Sequence, residues 1–252
     1  MLTIQQVYDF INERAPFDTQ LAFDNSGLLV GAPDREVTGV HFALDVTNRV
    51  IDEAVANGAN LIVTHHPMMF SPVKRLVETE HEARLLCRLI REGISLISAH
   101  TNLDQAVGGC NDVLAQTIGL TDIQGDGCVR VGTLPHPMAA AELATHIHRQ
   151  LGEVVRVMGD PLAIITKVGM CSGSGADEWP GAAAMGAQAF LTGEVKHHIA
   201  LEAADSGIVM LEAGHYATEA PGIFALAKAL QTSELGVQYN VRVSTSRAQA
   251  YQ

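Results

Sequence analysis

Histidines and carboxylates recur together at four places in this chain: His65-His66, His100 with Asp104, Glu194 with His197-His198, and His215 with Glu219. Each group follows a short apolar run, at 61–64, 95–99, 189–193 and 209–214. In open α/β sheets functional groups gather at the carboxyl ends of strands. Neutral imidazole nitrogen and carboxylate oxygen both bind Zn²⁺, Mn²⁺ or Fe²⁺ at about 2.0–2.2 Å. The pattern points to a divalent-metal site. No single motif carries that reading: a His-His pair is commonly a surface or satisfied core feature, and His-x-x-x-Glu is a weaker signal still. Convergence at strand ends carries it.

Adjacent histidines on a strand face opposite ways. His65 and His66 reach one site only if the strand has ended and the backbone has turned. Pro67 restricts His66 to an extended or turn conformation, and two neighbouring ions would let each histidine bind its own. Glu219 stands before Ala220-Pro221. Proline is tolerated in a first helical turn, which predicts Thr218 as N-cap and Glu219 at a helix start. The glycine-rich loop 169–175 lacks the spacing of a P-loop or dinucleotide fingerprint. It reads as a tight turn bringing backbone to the site, or as an anion cradle.

The elements that must position these groups follow from hydrophobic periodicity. Residues 3–14 put Ile4, Val7, Phe10 and Ile11 on one helical stripe, with Thr3 as N-cap. Strands are expected at 37–46, 60–64 and 94–99, and helices at 48–57, 78–92 and after Gly108-Gly109. Residues 129–168 read strand, helix, strand, strand. This alternation predicts an α/β fold with a largely parallel sheet. The polar, glycine-containing stretch 121–128 is the expected boundary, giving a first half at 1–125 with His65, His66 and Asp104 and a second at 126–252 with His215 and Glu219. A weak repeat links the halves: 56–64 resembles 184–192, and 93–96 resembles 207–210.

Composition bounds the rest. A chain of 252 residues, 47% hydrophobic and 5% aromatic, has material for an aliphatic core. The formal charge of −12 argues against nucleic acid as a partner. No apolar run reaches membrane-spanning length and no signal-peptide pattern opens the chain, so a cytoplasmic protein without membrane contact is expected. Cys87, Cys110, Cys128 and Cys171 show no C-x-x-C pairing and read as buried thiols of a reducing compartment. His41 reads as a strand residue; His81, His136, His146 and His148 read as background.

The segments 23–28, 64–67, 100–104, 171–175, 192–198 and 214–219 span nearly the whole chain. In type and order they resemble the NIF-three-like family, also called GTP cyclohydrolase 1 type 2 homologues, in its short bacterial YbgI-type form. Phe23 and Ser26 depart from the more usual Trp and Val of the first segment. The resemblance implies two related three-layer α/β halves with mixed, largely parallel sheets, assembled as a toroidal homohexamer, a trimer of dimers. It implies two divalent ions per chain. His65 and His66 would each bind one, Asp104 and His215 would add one ligand each, and Glu219 would bridge. His100, Glu194, His197 and His198 would stand beside the site.

The expected activity is metal-dependent hydrolysis of a small or nucleotide-like substrate, by the family name GTP, with His100, His197 or His198 moving protons. A metal-holding scaffold or regulatory ring without catalysis, or a di-iron redox protein, is the alternative. Zinc, manganese and iron all suit the donors, and nothing in the sequence identifies guanine recognition. A hexamer would carry a formal charge of about −72 by multiplication, which argues further against a nucleic-acid ring.

Overall fold

A computed structural model describes residues 1–249. They form two compact units, one of Met1–Ala106 with the chain from Ile223 onward, the other of Val107–Gly222.

The first unit begins with α1 (Ile4–Arg14). Thr3 caps it: Gln6 N donates to Thr3 Oγ1 at 3.4 Å, and Thr3 N donates to Gln6 Oε1 at 2.9 Å. The predicted stripe of Ile4, Val7, Phe10 and Ile11 is buried. Then follow β1 (Gly27–Val30), β2 (Val40–Ala43), α2 (Asn48–Ala56), β3 (Leu61–Thr64), α3 (His81–Arg91), β4 (Ser95–Ser98) and the short α4 (Thr101–Gln105). Gly58 and Gly93, at φ 64° and 67°, turn the chain after α2 and α3 into the next strand. The second unit holds α5 (Cys110–Thr117), β5 (Thr121–Gln124), β6 (Arg130–Ala139), α6 (Ala140–Leu151), β7 (Arg156–Met158), β8 (Ile164–Met170), α7 (Trp179–Ala184), β9 (Ala189–Thr192), α8 (His197–Asp205) and β10 (Val209–Glu212). The division falls within α9 (His215–Thr232), and α10 (Glu234–Gln238) and β11 (Val243–Thr245) close the described chain.

The first sheet runs β1-β4-β3-β2-β11, with only β1 antiparallel. The second runs β5-β6-β8-β9-β10-β7. Both are mixed, but "largely parallel" holds for the first alone. In the second, β8-β9 and β9-β10 are parallel while β5-β6, β6-β8 and β10-β7 are antiparallel. The reason is local. Residues 121–128, expected as a boundary, make β5 and a tight return into β6, and a short return needs antiparallel pairing. β6 also outruns its expected end, carrying Pro135 and Pro137 across a register irregularity between Thr133 and Met138. The compact units divide at 106/107, and the C-terminal segment belongs with the first, where β11 pairs with β2.

The two units repeat one order of elements. In β1-β2-α2-β3-α3-β4 and β7-β8-α7-β9-α8-β10, three parallel strands carry an antiparallel edge strand beside the last of them. Strand alternation explains the layering of the second unit. Ala189, Leu191, Val209 and Leu211 pack with Leu143 and Ile147 of α6, while Phe190 and Met210 pack with Ala182 of α7 and Ile199 of α8. In the first unit Ala43, Ile62 and Leu96 meet α2 and α3. The intervening Leu61, Val63 and Ile97 are fully buried too. Each such side chain contributes roughly 1.5–3 kcal/mol by leaving water, so the strand ends are held on rigid sheets.

Candidate metal centre

In the first unit β2, β3 and β4 are parallel, so their carboxyl ends lie on one edge of the sheet. β3 ends at Thr64, whose buried hydroxyl donates to His66 O at 2.9 Å. Ser98 Oγ, 2.8 Å away, then supplies the proton that Thr64 Oγ1 accepts. This turn brings both imidazoles to one side. The ring centroids of His65 and His66 are 5.2 Å apart, and those of His100 lie 5.1 and 5.6 Å from them. One ring nitrogen from each of the three falls within 4.8 Å of the others. Three imidazolium ions could not share so small a volume; neutral rings around a cation can.

The partners of these rings fix which nitrogen is offered. His65 Nδ1 is 2.8 Å from Ala99 O, His66 Nδ1 is 2.7 Å from Asp45 Oδ1, and His100 Nδ1 is 2.9 Å from Asp24 Oδ1. A carbonyl or carboxylate oxygen can only accept, so each Nδ1 carries a proton, and in the neutral ring it is Nε2 that presents a lone pair. Carbonyl and carboxylate partners of this kind orient and strengthen histidine ligands in metal proteins. His65 Nε2 lies 3.5 Å from Asp104 Oδ1. That is long for a hydrogen bond, yet two ligands of a tetrahedral ion bonded at about 2.0–2.2 Å stand roughly 3.3–3.6 Å apart.

Asp24 is itself strongly held. It accepts from His100 Nδ1, from Thr101 N at 3.0 Å and from the Thr101 hydroxyl, while Ser26 Oγ donates to it at 3.1 Å. Burial alone raises its carboxyl, but the bonds from His100 and Thr101 outweigh burial and hold it well below the usual range. Asn102, fully buried, fixes the same turn by accepting from His100 N at 2.9 Å and donating to Ala15 O at 2.7 Å.

In the second unit the ends of β8, β9 and β10 present Gly173, Gly193-Glu194 and His215. α9 starts at His215, not after Thr218, which corrects the expected cap. Thr218 N donates to Gly214 O at 3.2 Å, so helical bonding is already under way at Thr218, and Pro221 sits inside the helix. His215 and Glu219 are therefore one turn apart on a single face, with Nε2 and Oε2 3.0 Å from each other. Glu194 Oε1 accepts from His215 Nδ1 at 2.9 Å, which leaves Nε2 turned toward Glu219. The Glu219 carboxylate is 4% exposed; a carboxylate so buried needs donors or a cation facing it.

The glycine loop lies against that carboxylate. Gly173 has φ +61°, and a Cβ there would stand 2.0 Å from Glu219 Oε1 and 3.1 Å from His215 Nε2. Its N–H donates to Thr218 Oγ1 at 3.0 Å, and its carbonyl accepts from Gly193 N and Glu194 N at 2.9 and 3.0 Å. Of the two readings of the loop, the geometry matches the tight turn.

Each unit thus assembles part of the expected set: His65, His66 and Asp104 with His100 in the first, and His215 and Glu219 with Glu194 in the second. His197 and His198 stand exposed in the first turn of α8, and among the described residues neither joins these pairs. Asp45 is a position that sequence reasoning missed. Its signal was the one used elsewhere, a carboxylate just beyond a strand end, two residues after β2. The donor types fit a divalent ion on chemistry alone: in each unit imidazoles whose Nδ1 is already engaged stand beside a carboxylate.

No helix among the described residues is long and apolar enough to cross a membrane. The sequence model of Duf34/NIF3 (NGG1p interacting factor 3) matches residues 2–250. A Streptomyces coelicolor protein named GTP cyclohydrolase 1 type 2 homolog is 35% identical over 236 residues, covering 88% of this chain and 83% of its own. A solved Staphylococcus aureus structure, protein SA1388, superposes with TM-score 0.94 at 27% identity, over 100% of this chain and 99% of its own. The solved structure of protein ybgI, described as of unknown function, gives 0.86 at 28% identity, over 97% and 98%.

Proposed function

The chain belongs to the Duf34/NIF3 family, and from that premise we propose that it is a dinuclear-metal-dependent hydrolase of a nucleotide or related small molecule. In this reading His65, His66, Asp104, His215 and Glu219 together hold two divalent ions, zinc, manganese or iron. One observation carries it: every histidine of the set gives its Nδ1 proton to a carbonyl or carboxylate and so offers Nε2. Two such ions, when bound, supply Lewis acidity and a water of lowered pKa.

The chain's own residues do the rest. Asp45 and Glu194 orient His66 and His215. His100, backed by Asp24, takes up or returns a proton at Nε2. Gly173, having no Cβ, lets the backbone of the loop lie directly against the Glu219 carboxylate. His197 and His198, exposed, are proposed to face substrate or exchange protons with solvent.

Ring opening of GTP is the first reaction to test, because the Streptomyces relative is named for it by homology. Protein reloaded with zinc, manganese or iron is expected to turn over GTP or another nucleotide, and Glu219→Ala and His65→Ala to lose that turnover. Full metal-dependent turnover in both variants would contradict the reading. A homohexamer, a trimer of dimers closed into a toroid, completes the proposal; light scattering should return six chain masses. Cys87, Cys110, Cys128 and Cys171, as thiols, suit a reducing cytoplasm.

A further inference from the structure

Phe23 and Phe70 are 61% and 50% exposed in a chain poor in aromatics. Their rings lie nearly parallel, 23° apart with centroids at 6.2 Å, and Phe70 meets His100 edge-on at 5.8 Å. The ring series continues from His100 to His65 and His66. This exposure is built. Asn25 Nδ2 donates to Met69 O at 3.0 Å and Met68 O at 3.3 Å, which ties the loop of Phe23 to the loop of Phe70. Met69 N donates to Glu82 Oε1 at 2.6 Å, and Met69 takes a left-handed φ of 59°, rare for a residue with a side chain. Backbone strain of this kind persists where surrounding bonds over-determine it, and it clusters at ligand-binding segments.

We propose that Phe23 and Phe70 form a stacking ledge for a planar heteroaromatic ring of the nucleobase class, whose polar edge is read by His100. Two nearly parallel exposed rings offer a flat guest an aromatic surface to stack on. His100 stands edge-on to Phe70 with Nδ1 bound to Asp24, so Nε2 is the ring nitrogen left to meet the polar edge of a guest ring. A sugar phosphate without a base has nothing to place on the ledge. The assignment deepens the hydrolase reading by naming the substrate part these residues hold, and it rests on that reading for what happens next.

The test is titration calorimetry on metal-loaded protein with guanosine 5′-monophosphate and with ribose 5-phosphate. Guanosine 5′-monophosphate should bind the more tightly. Phe23→Ala and Phe70→Ala should each weaken it about tenfold, the scale of losing one base–aromatic stack. Both should leave ribose 5-phosphate unchanged, and Phe70→Tyr should keep wild-type affinity. The ledge is overturned if wild-type protein does not bind the nucleotide, if the alanine variants bind it unchanged, or if they lose nucleotide and ribose 5-phosphate alike. A changed oligomeric mass with unchanged nucleotide affinity would overturn it too, making the patch a contact between copies. Binding without turnover would refute the hydrolase and keep the ledge. Turnover with KM unchanged in both alanine variants would keep the hydrolase and refute the ledge.

Discussion

Asp45 gives the sharpest test of how the imidazoles are prepared for metal. Its Oδ1 accepts from His66 Nδ1 at 2.7 Å, with the Asp45 side chain 49% exposed and His66 24%. A hydrogen bond to a charged acceptor contributes about 1.5–3 kcal/mol, or roughly one to two decades at 1.4 kcal/mol per decade. Loss of outer partners of metal-bound histidines costs about 10–100-fold in affinity. Half-exposure places Asp45 at the low end, so Asp45→Ala should weaken one of the two ions about tenfold. Asp45→Asn, which keeps an acceptor oxygen without the charge, should fall between. The assay is zinc competition against a chelator of known affinity. Asp9→Ala, which removes an exposed carboxylate bonded to Gln5, is the control for net charge. Affinity in Asp45→Ala within twofold of wild type at both sites would refute the argument.

Three further outcomes follow from the geometry. Gly173→Ala forces a Cβ to 2.0 Å from Glu219 Oε1 at a left-handed φ; the melting temperature should fall by about 2–4 °C per kcal/mol lost, and elemental analysis should show fewer ions per chain. Thr64→Val removes a buried hydroxyl bonded to His66 O and Ser98 Oγ; chemical denaturation should show a loss of about 1–3 kcal/mol. His41 is buried at the contact of β2 with β11, its Nδ1 2.8 Å from Ser244 Oγ. Burial pushes its imidazole down, against the opposing pull of Glu53. The unfolded chain then takes up a proton that the folded chain refuses, so this contribution is present above about pH 6.5 and is lost as pH falls below it. The stability gap between wild type and His41→Gln should narrow on titration from pH 7.5 to 5.5; a constant gap would contradict the assignment.

The candidate groups were legible at strand ends because that signal is local. A strand ending at Thr64, Thr192 or Glu212 followed within three residues by imidazole or carboxylate needs no tertiary information, and the same rule would have found Asp45 beyond β2. The α1 stripe and its Thr3 cap are local too. What stayed hidden depends on distant pairing. β5 is a polar strand, exposed except at Ile123, and becomes a strand only by pairing with β6. β11 belongs to the first sheet because it docks on β2, some two hundred positions earlier in the chain. The start of α9 was misplaced because Thr218 and Pro221 resemble a helix beginning; in the fold the Thr218 hydroxyl instead bonds back to Gly214 O and receives Gly173 N. Gly173 itself reads as a turn, and only the proximity of Glu219 shows why it has to be glycine.

The most direct test of the central proposal is the number of metal ions per chain in protein purified without added metal or chelator and then reloaded, compared with Glu219→Ala. Two ions per chain in the wild type, falling to one or none in Glu219→Ala, is the expected result. No ions after reloading, or the same count in both proteins, would contradict the proposed dinuclear centre with Glu219 among its ligands.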